Sequence, residues 1–108
     1  MTFNALFIAH APDADPQRDR SALKTGLYEL HTVIVRDQQQ GLEICRSLVP
    51  TEGIQSVVLC PGHSNQDVAE IAAAVGPGVG VSVARGDGPS QAVARRAMEE
   101  SGWFSYRT

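Results

Sequence analysis

The sequence predicts a single-domain α/β protein with about four mostly parallel strands and three main helices, and three observations predict it. Two short, nearly continuous apolar runs, at 54–60 and 79–84, suit strands that are buried on both faces of a parallel sheet. Segments with the apolar period of a helix alternate with the strand-like runs. The chain of 108 residues is 43% hydrophobic and 19% charged, which is enough for one core and argues against a wholly disordered chain.

Local signals define the individual elements. Four β-rich runs are expected to form strands, at residues 3–9, 27–35, 54–60 and 79–84. Asp37 is a good N-cap for the first helix, and Ser64 begins a sequence with capping-box spacing ahead of the second. Pro89 suits the first turn of the third helix. The expected helices cover residues 38–49, 65–75 and 89–101.

The link between the first two strands, residues 11–26, has two interpretations. It contains a short candidate helix with Asp15 as its cap and Pro16 in its first turn, and it is about long enough for a parallel crossover. Alternatively, it is a loop that leads to an antiparallel second strand.

The element order β-β-α-β-α-β-α suits a flavodoxin-like or half-barrel-like three-layer arrangement with right-handed crossovers. A four-stranded sheet has exposed edges, and three helices are too few to cover both of its faces, so we expect a homo-oligomer. The run 103–106 holds three of the six aromatic residues and is expected either to close the core or to join that interface.

Charge and apolar patterning exclude several classes of partner. Nine Lys and Arg against twelve Asp and Glu give a charge of −3, and the basic residues are dispersed, which disfavours a nucleic-acid or anionic-membrane surface. No basic residue precedes the N-terminal apolar run, and no segment approaches the roughly 20 apolar residues that span a bilayer. We expect a soluble, cytoplasmic protein in which Cys45 and Cys60 are free thiols.

Polar residues follow every predicted strand, and the carboxyl ends of parallel strands share the edge where open α/β sheets usually bind ligands. The same residue types are also what strand-to-helix turns and helix caps require. The residues at this edge are His10 and Asp13, Arg36 and Asp37, the segment 60–64, and the segment 85–90.

The loop after the last strand is the strongest candidate for ligand binding. Its glycines allow a close approach of the backbone, the amide groups at the helix start favour an anion, and Arg85 could pair with it. Asp87 would repel a phosphate unless it caps the helix, binds a hydroxyl or shares a metal ion. The loop is neither a Walker A sequence nor a Gly-x-Gly-x-x-Gly fingerprint. The expected ligand-binding residues are Arg85, Gly86, Asp87, Gly88 and Ser90.

Cys60, His63 and His10 are the candidate catalytic residues. A thiol at a strand end, ahead of a helix and near a histidine, could have a lowered pKa and act as a nucleophile or redox group. The alternative is a buried cysteine that closes the strand. A metal ion on these three residues, completed by Asp13 or Asp87, is a further alternative, but we assign no metal or other cofactor.

Other ionisable groups have structural interpretations. His31 shares a strand face with Glu29 and could pair with it, and Cys45 lies on an apolar helix stripe. The charged residues of the last helix indicate a solvated face with local ion pairs.

Three segments, 9–16, 59–62 and 83–90, resemble a family of small bacterial proteins of unknown function over nearly the whole chain. This resemblance implies a single domain and assigns no catalytic role. The final strand, glycine-rich loop and helix are also loosely similar to phosphate-binding α/β enzymes, although Asp87 departs from their pattern.

The leading functional hypothesis is binding of a small polar or anionic metabolite at the C-terminal edge of the sheet, and the sequence leaves open whether it is turned over. In this hypothesis Arg85 and the amides after Gly88 hold the anion, and His10 or His63 transfers a proton. The alternative is a non-enzymatic structural or interaction module that acts as a homo-oligomer.

Overall fold

The computed structural model describes residues 1–106, which form one five-stranded sheet and three helices. The strands are β1 (Phe3–His10), β2 (Arg20–Lys24), β3 (Tyr28–Val35), β4 (Ser56–Leu59) and β5 (Gly80–Val83). The helices are α1 (Gln38–Glu52), α2 (Asn65–Val75) and α3 (Gly88–Glu100). The predicted α/β class is confirmed.

The sheet has the strand order β2-β3-β1-β4-β5. β1 pairs in parallel with β3 and β4, and β4 pairs in parallel with β5, whereas β2 is antiparallel to β3. The four parallel strands therefore end at one edge of the sheet, and the loops after them share that edge.

Helices α1 and α2 pack on the same face of the sheet. α1 carries the chain from β3 across β1 to β4, and α2 carries it from β4 to β5, so both crossovers move in the same direction. Right-handed connections that move in one direction place their helices on one side. The apolar core lies between this face and the two helices, and comprises Leu6, Ile8, Val33, Val35, Ile44, Cys45, Leu48, Ile54, Val57, Leu59 and Ile71.

The helix termini follow the expected capping chemistry. The Asp37 side chain accepts a hydrogen bond from the Gln40 N–H, and Ser64 and Asp67 form a reciprocal capping box. α1 runs three residues beyond its predicted end and stops at Gly53, which is left-handed with φ 62°. No helix among residues 1–106 is both long enough and apolar enough to cross a membrane.

The prediction of a short helix in the link 11–26 is wrong. Asp15 starts only a single turn, in which its carbonyl oxygen accepts from the Arg18 and Asp19 N–H groups. The Asp19 carboxylate accepts from the Asp15 N–H in return, and the chain then enters β2. The parallel arrangement of the first two predicted strands is confirmed, because β3 is parallel to β1, and the antiparallel alternative is wrong for this pair. The antiparallel partner of β3 is the additional strand β2. All five β2 residues are exposed, so no apolar periodicity marked it.

The last strand is less buried than its apolar sequence predicts. β5 lies at the edge of the sheet, and three of its four residues are exposed. None of the residues in α3 is buried either. In the aromatic segment that follows α3, Trp103 is half-buried, whereas Phe104 and Tyr106 are exposed.

Replacing Gly53 with alanine should destabilise the fold. A Cβ at this position would make an ordinary van der Waals contact, 3.6 Å from Nδ2 of Asn4. The loss of stability therefore comes from the left-handed backbone and not from a steric clash. We expect a loss of about 1–2 kcal/mol in the free energy of unfolding, measured by urea denaturation. Gly78→Ala is the matched control, because Gly78 has open space and no positive φ. Equal stability of the two variants would contradict this explanation of the helix end.

Candidate active site

Parallel pairing brings His10 and Cys60 together at the C-terminal edge of the sheet. His10 is the last residue of β1, and Cys60 directly follows β4. The register pairs Ile8 with Leu59, and the Cys60 N–H donates to the Ile8 carbonyl oxygen at 3.0 Å. Cys60 therefore extends the strand pairing by one step and lies beside the end of β1.

A tight turn adds His63 to this pair. The His63 N–H donates to the Cys60 carbonyl oxygen at 3.2 Å, and Pro61 occupies the position that favours proline in such a turn. Gly62 leaves room for the side chains, because a Cβ there would lie 3.3 Å from Nδ1 of His10 and 3.5 Å from Sγ of Cys60. His63 directly precedes the N-cap of α2, so the capped helix fixes the end of the turn.

The thiol of Cys60 faces both imidazole rings. Its Sγ lies 3.7 Å from Nδ1 of His10 and 3.6 Å from Nδ1 of His63. The two rings stack, with centroids 4.2 Å apart and planes at 25°. The three candidate catalytic residues, which are 50 and 3 positions apart along the chain, thus form one cluster.

His63 has a fixed role as a hydrogen-bond donor. Its Nδ1 lies 3.1 Å from the Cys60 carbonyl oxygen, and a carbonyl oxygen only accepts, so Nδ1 carries a proton. The residue is 7% exposed, and its Nε2 is buried without a partner among residues 1–106. His63 can therefore support the sulfur atom, while His10, which borders open space, is better placed to exchange protons with a bound molecule.

The surroundings of Cys60 stabilise its thiolate form. Burial raises the pKa of Cys60, but hydrogen bonds with His10 and His63, and with the backbone N–H groups of Gly62 and His10, outweigh burial and lower the pKa to about 5. Burial lowers the pKa of His63, yet the hydrogen bonds to the side chain and backbone of Cys60 raise it above its ordinary value. We therefore expect Cys60 to be a thiolate, the nucleophilic form of cysteine, at neutral pH.

A cavity of about 630 Å³ lies against the thiolate. One wall is the end of the sheet and the turn after β4, and the opposite wall is α3 with the segment that follows it. Its lining residues are Ala9, His10, Cys60, Pro61, Gly62, Gln91, Arg95, Met98, Trp103 and Phe104. This volume is in the range of pockets that hold small molecules.

The predicted ligand-binding loop lies beside this cavity and contributes none of its lining residues. Arg85 and Asp87 are exposed and pair with each other, with 2.7 Å between Nε and Oδ1. Gly86 lies against Gln91, because a Cβ at Gly86 would be 2.5 Å from the Gln91 amide nitrogen. Gly88 and Ser90 lie in the exposed first turn of α3.

The α3 wall was missed by the sequence analysis. Gln91, Arg95 and Met98 have the spacing i, i+4, i+7 and therefore share one helix face. The sequence contains this spacing, but the three residues differ in polarity and so do not form the apolar stripe by which a buried helix face is recognised. Trp103 and Phe104, which the sequence predicts either to close the core or to join an interface, border the cavity.

A family model matches residues 3–99 of the chain, and its description is Family of unknown function (DUF6506). The chain belongs to this family. No curated protein and no solved structure matches the chain. The family resemblance expected from the sequence is confirmed, and the match to DUF6506 includes all the catalytic and ligand-binding candidates.

The same cluster contains the donor atoms of a potential metal site in this DUF6506 protein. Sγ of Cys60 and one ring nitrogen each of His10 and His63 lie within 4.8 Å of one another, a donor set that Zn²⁺ accepts. Within residues 1–106, neither Asp13 nor Asp87 joins this group as a fourth ligand. Nδ1 of His63 also lies 3.1 Å from the Cys60 carbonyl oxygen, so a metal ion on that nitrogen would have to replace this hydrogen bond.

The predicted contact between His31 and Glu29 is present. Nε2 of His31 lies 3.1 Å from a Glu29 carboxylate oxygen, and Lys24 reaches the same oxygen at 3.4 Å. This cluster, with Glu52 nearby, lies towards the opposite edge of the sheet from Cys60. Cys45 is buried in the core, and burial raises its pKa to about 11.

Iodoacetamide should alkylate Cys60 before Cys45 in the native protein at neutral pH, because Cys60 is a thiolate at a cavity and Cys45 is a buried thiol. His10→Ala should raise the pKa of Cys60, so its alkylation should slow several-fold near pH 6 and much less near pH 9, where thiols ionise in both proteins. Peptide mass spectrometry measures both sites. His31→Ala is the matched control and should leave the rate unchanged. Equal, slow labelling of both cysteines would contradict the thiolate.

Proposed function

We propose that this DUF6506 protein is an enzyme that binds a small polar or anionic metabolite, whose carbonyl carbon is attacked by the Cys60 thiolate. One observation carries the proposal: Sγ of Cys60 lies 3.7 Å and 3.6 Å from two imidazole nitrogens at the wall of a 630 Å³ cavity. A cysteine beside an imidazole is the usual arrangement for nucleophilic catalysis by a thiol.

The proposed first step forms a thioester. The thiolate forms a bond to the carbonyl carbon, and the π electron pair of the C=O bond moves to oxygen. When that pair returns, the bond to the leaving group breaks, and the leaving group departs with the bonding pair and takes a proton from His10. His63 does not transfer this proton, because its Nδ1–H is held by the Cys60 carbonyl oxygen.

Water completes the proposed cycle. His10 removes a proton from a water molecule as the oxygen attacks the thioester carbon. Sγ then leaves with the electron pair of the S–C bond and returns to the thiolate form. The pKa of Cys60, about 5, makes its thiolate a good leaving group, so it competes with the leaving group of the substrate to depart from the same carbon. A substrate whose leaving group also has a low pKa therefore suits this cycle.

The expected cytoplasmic location fits this proposal, because a reducing compartment keeps Cys60 as a thiolate. Both cysteines are free. The bacterial origin that the resemblance implies stays a prediction, as does the absence of nucleic-acid and membrane partners.

p-Nitrophenyl acetate tests the proposed step. The wild-type protein should release nitrophenolate in a burst of about one equivalent per chain, with the acetyl group on Cys60 in peptide mass spectra. Cys60→Ser should abolish the burst, and His10→Gln should slow hydrolysis so that the acetylated protein accumulates. Cys45→Ala, the matched cysteine control, should keep the burst. Release of nitrophenolate that survives Cys60→Ser, or no release by the wild type, would contradict the proposal.

A second function, assembly as a homo-oligomer, is favoured by apolar side chains on the sheet face opposite α1 and α2. Phe3 and Tyr28 are register partners whose rings stack at 5.5 Å, and Leu23 pairs with Leu30 on the same face. Phe3, Leu23 and Tyr28 are 48%, 71% and 37% exposed. Exposed apolar patches on soluble proteins commonly mark interfaces, and here a second copy of the chain is the proposed occupant.

Sedimentation velocity tests the assembly. The wild-type protein should sediment as an oligomer, and Leu23→Lys should shift it towards the monomer because a charge would then be buried in the interface. Val93→Lys is the matched control, since Val93 is also 71% exposed but lies on α3. A wild-type protein that stays monomeric at every concentration would rule the assembly out.

A further inference from the structure

The α3 wall of the cavity carries a cation that faces the same space as the thiolate. Arg95 and Cys60 both line the cavity, and within residues 1–106 Arg95 is the one lining residue with a permanent positive charge. Its neighbours along the wall are the amide of Gln91 and the apolar side chains of Met98 and Trp103. A molecule in this space would border both a nucleophile and a guanidinium.

The Arg95 side chain is 67% exposed and makes two contacts. The guanidinium carbon lies 4.5 Å from the centroid of the Phe104 ring, and Nε lies 3.4 Å from Oε1 of Glu99. These contacts occupy one face of the planar group and its Nε edge. No acceptor in residues 1–106 pairs with its two terminal nitrogens, which form the edge that binds a carboxylate through two parallel hydrogen bonds.

Arg85, the cation expected from the sequence to hold an anion, is less well placed. It is absent from the cavity lining, and its Nε is already 2.7 Å from a carboxylate oxygen of Asp87. Of the two cations, Arg95 is therefore the better candidate to hold an anion in the cavity.

We propose that Arg95 selects substrates that carry a carboxylate, which it holds while the electrophilic carbon of the same molecule lies at Sγ of Cys60. The substrate class is thus a short carboxylic acid with an electrophilic acyl carbon and an apolar portion against Met98 and Trp103. This inference rests on the proposed function, because it takes Cys60 as the nucleophile. Arg95 is a specificity-determining residue in this scheme and performs no step on the reacting carbon.

Iodoacetate and iodoacetamide separate recognition of the anion from reactivity of the thiolate. With either reagent Sγ forms a bond to the methylene carbon, and iodide leaves with the electron pair of the C–I bond. The reagents differ in one group, a carboxylate in place of a neutral amide. The ratio of their rate constants at Cys60 therefore reports the preference for a carboxylate, and reactivity common to both reagents cancels.

Arg95→Gln should lower this ratio about tenfold, the factor expected for loss of a hydrogen-bonded ion pair. Arg95→Lys should lower it less, because the charge remains and the two-pronged geometry is lost. Arg96→Gln is the matched control: it removes the same charge from the neighbouring position, and Arg96 does not line the cavity. It should leave the ratio unchanged.

Three outcomes would overturn the inference. An unchanged ratio in Arg95→Gln would mean that Arg95 does not recognise the carboxylate, and an equal fall in Arg96→Gln would mean that only the overall charge matters. A fall in Arg85→Gln without one in Arg95→Gln would return the anion site to the loop after β5. In each case, alkylation of Cys60 by iodoacetamide would still support Cys60 as the nucleophile. Failure of both reagents to label wild-type Cys60 would instead defeat the proposed function itself.

Discussion

The parallel pairing of β1 with β4 is the constraint on which the candidate active site depends. Its last hydrogen bond, from the Cys60 N–H to the Ile8 carbonyl oxygen, fixes the thiol beside His10 across 50 residues of sequence. This pairing exists because α1 carries the chain over β1, which leaves β1 between β3 and β4. The buried side chains of β1 and β4 hold the register, since a slip by one residue would turn Leu6 and Ile8 away from the core.

The chemistry of the site results from a balance between burial and hydrogen bonding. A half-buried thiolate is costly unless donors compensate for the water it loses. Here two imidazoles and two backbone N–H groups face the sulfur, and their combined effect exceeds that of burial. These four donors come from three structural elements: the end of β1 supplies the ring and the N–H of His10, the turn at Pro61 supplies the N–H of Gly62, and His63 directly precedes the N-cap of α2. Cys45 has burial without such donors, and its pKa moves in the opposite direction.

Much of the sheet and the candidate catalytic cluster could be predicted from the sequence, because strong local signals marked them. The apolar runs identified four strands, and the parallel topology implied that His10, Cys60 and His63 would share an edge. β2 carries no comparable signal: its residues are exposed, and only its pairing with β3 makes it a strand. The sequence also gives no signal that Gln91 and Arg95 line the cavity, because their role depends on the position of α3 relative to Cys60. Local sequence patterns identify most helices and strands, whereas contacts between residues far apart in the sequence determine which of these elements line the cavity.

Cys60 should be a thiolate at neutral pH, held in that form by its histidine partners. A titration of the thiolate absorbance in the ultraviolet, taken as the difference between the wild-type protein and Cys60→Ser, measures this ionisation. The midpoint should lie near pH 5, with the thiolate present above it and lost as the pH falls through it. A midpoint near 8.5, the value of an ordinary cysteine, would show that the histidines do not stabilise the thiolate.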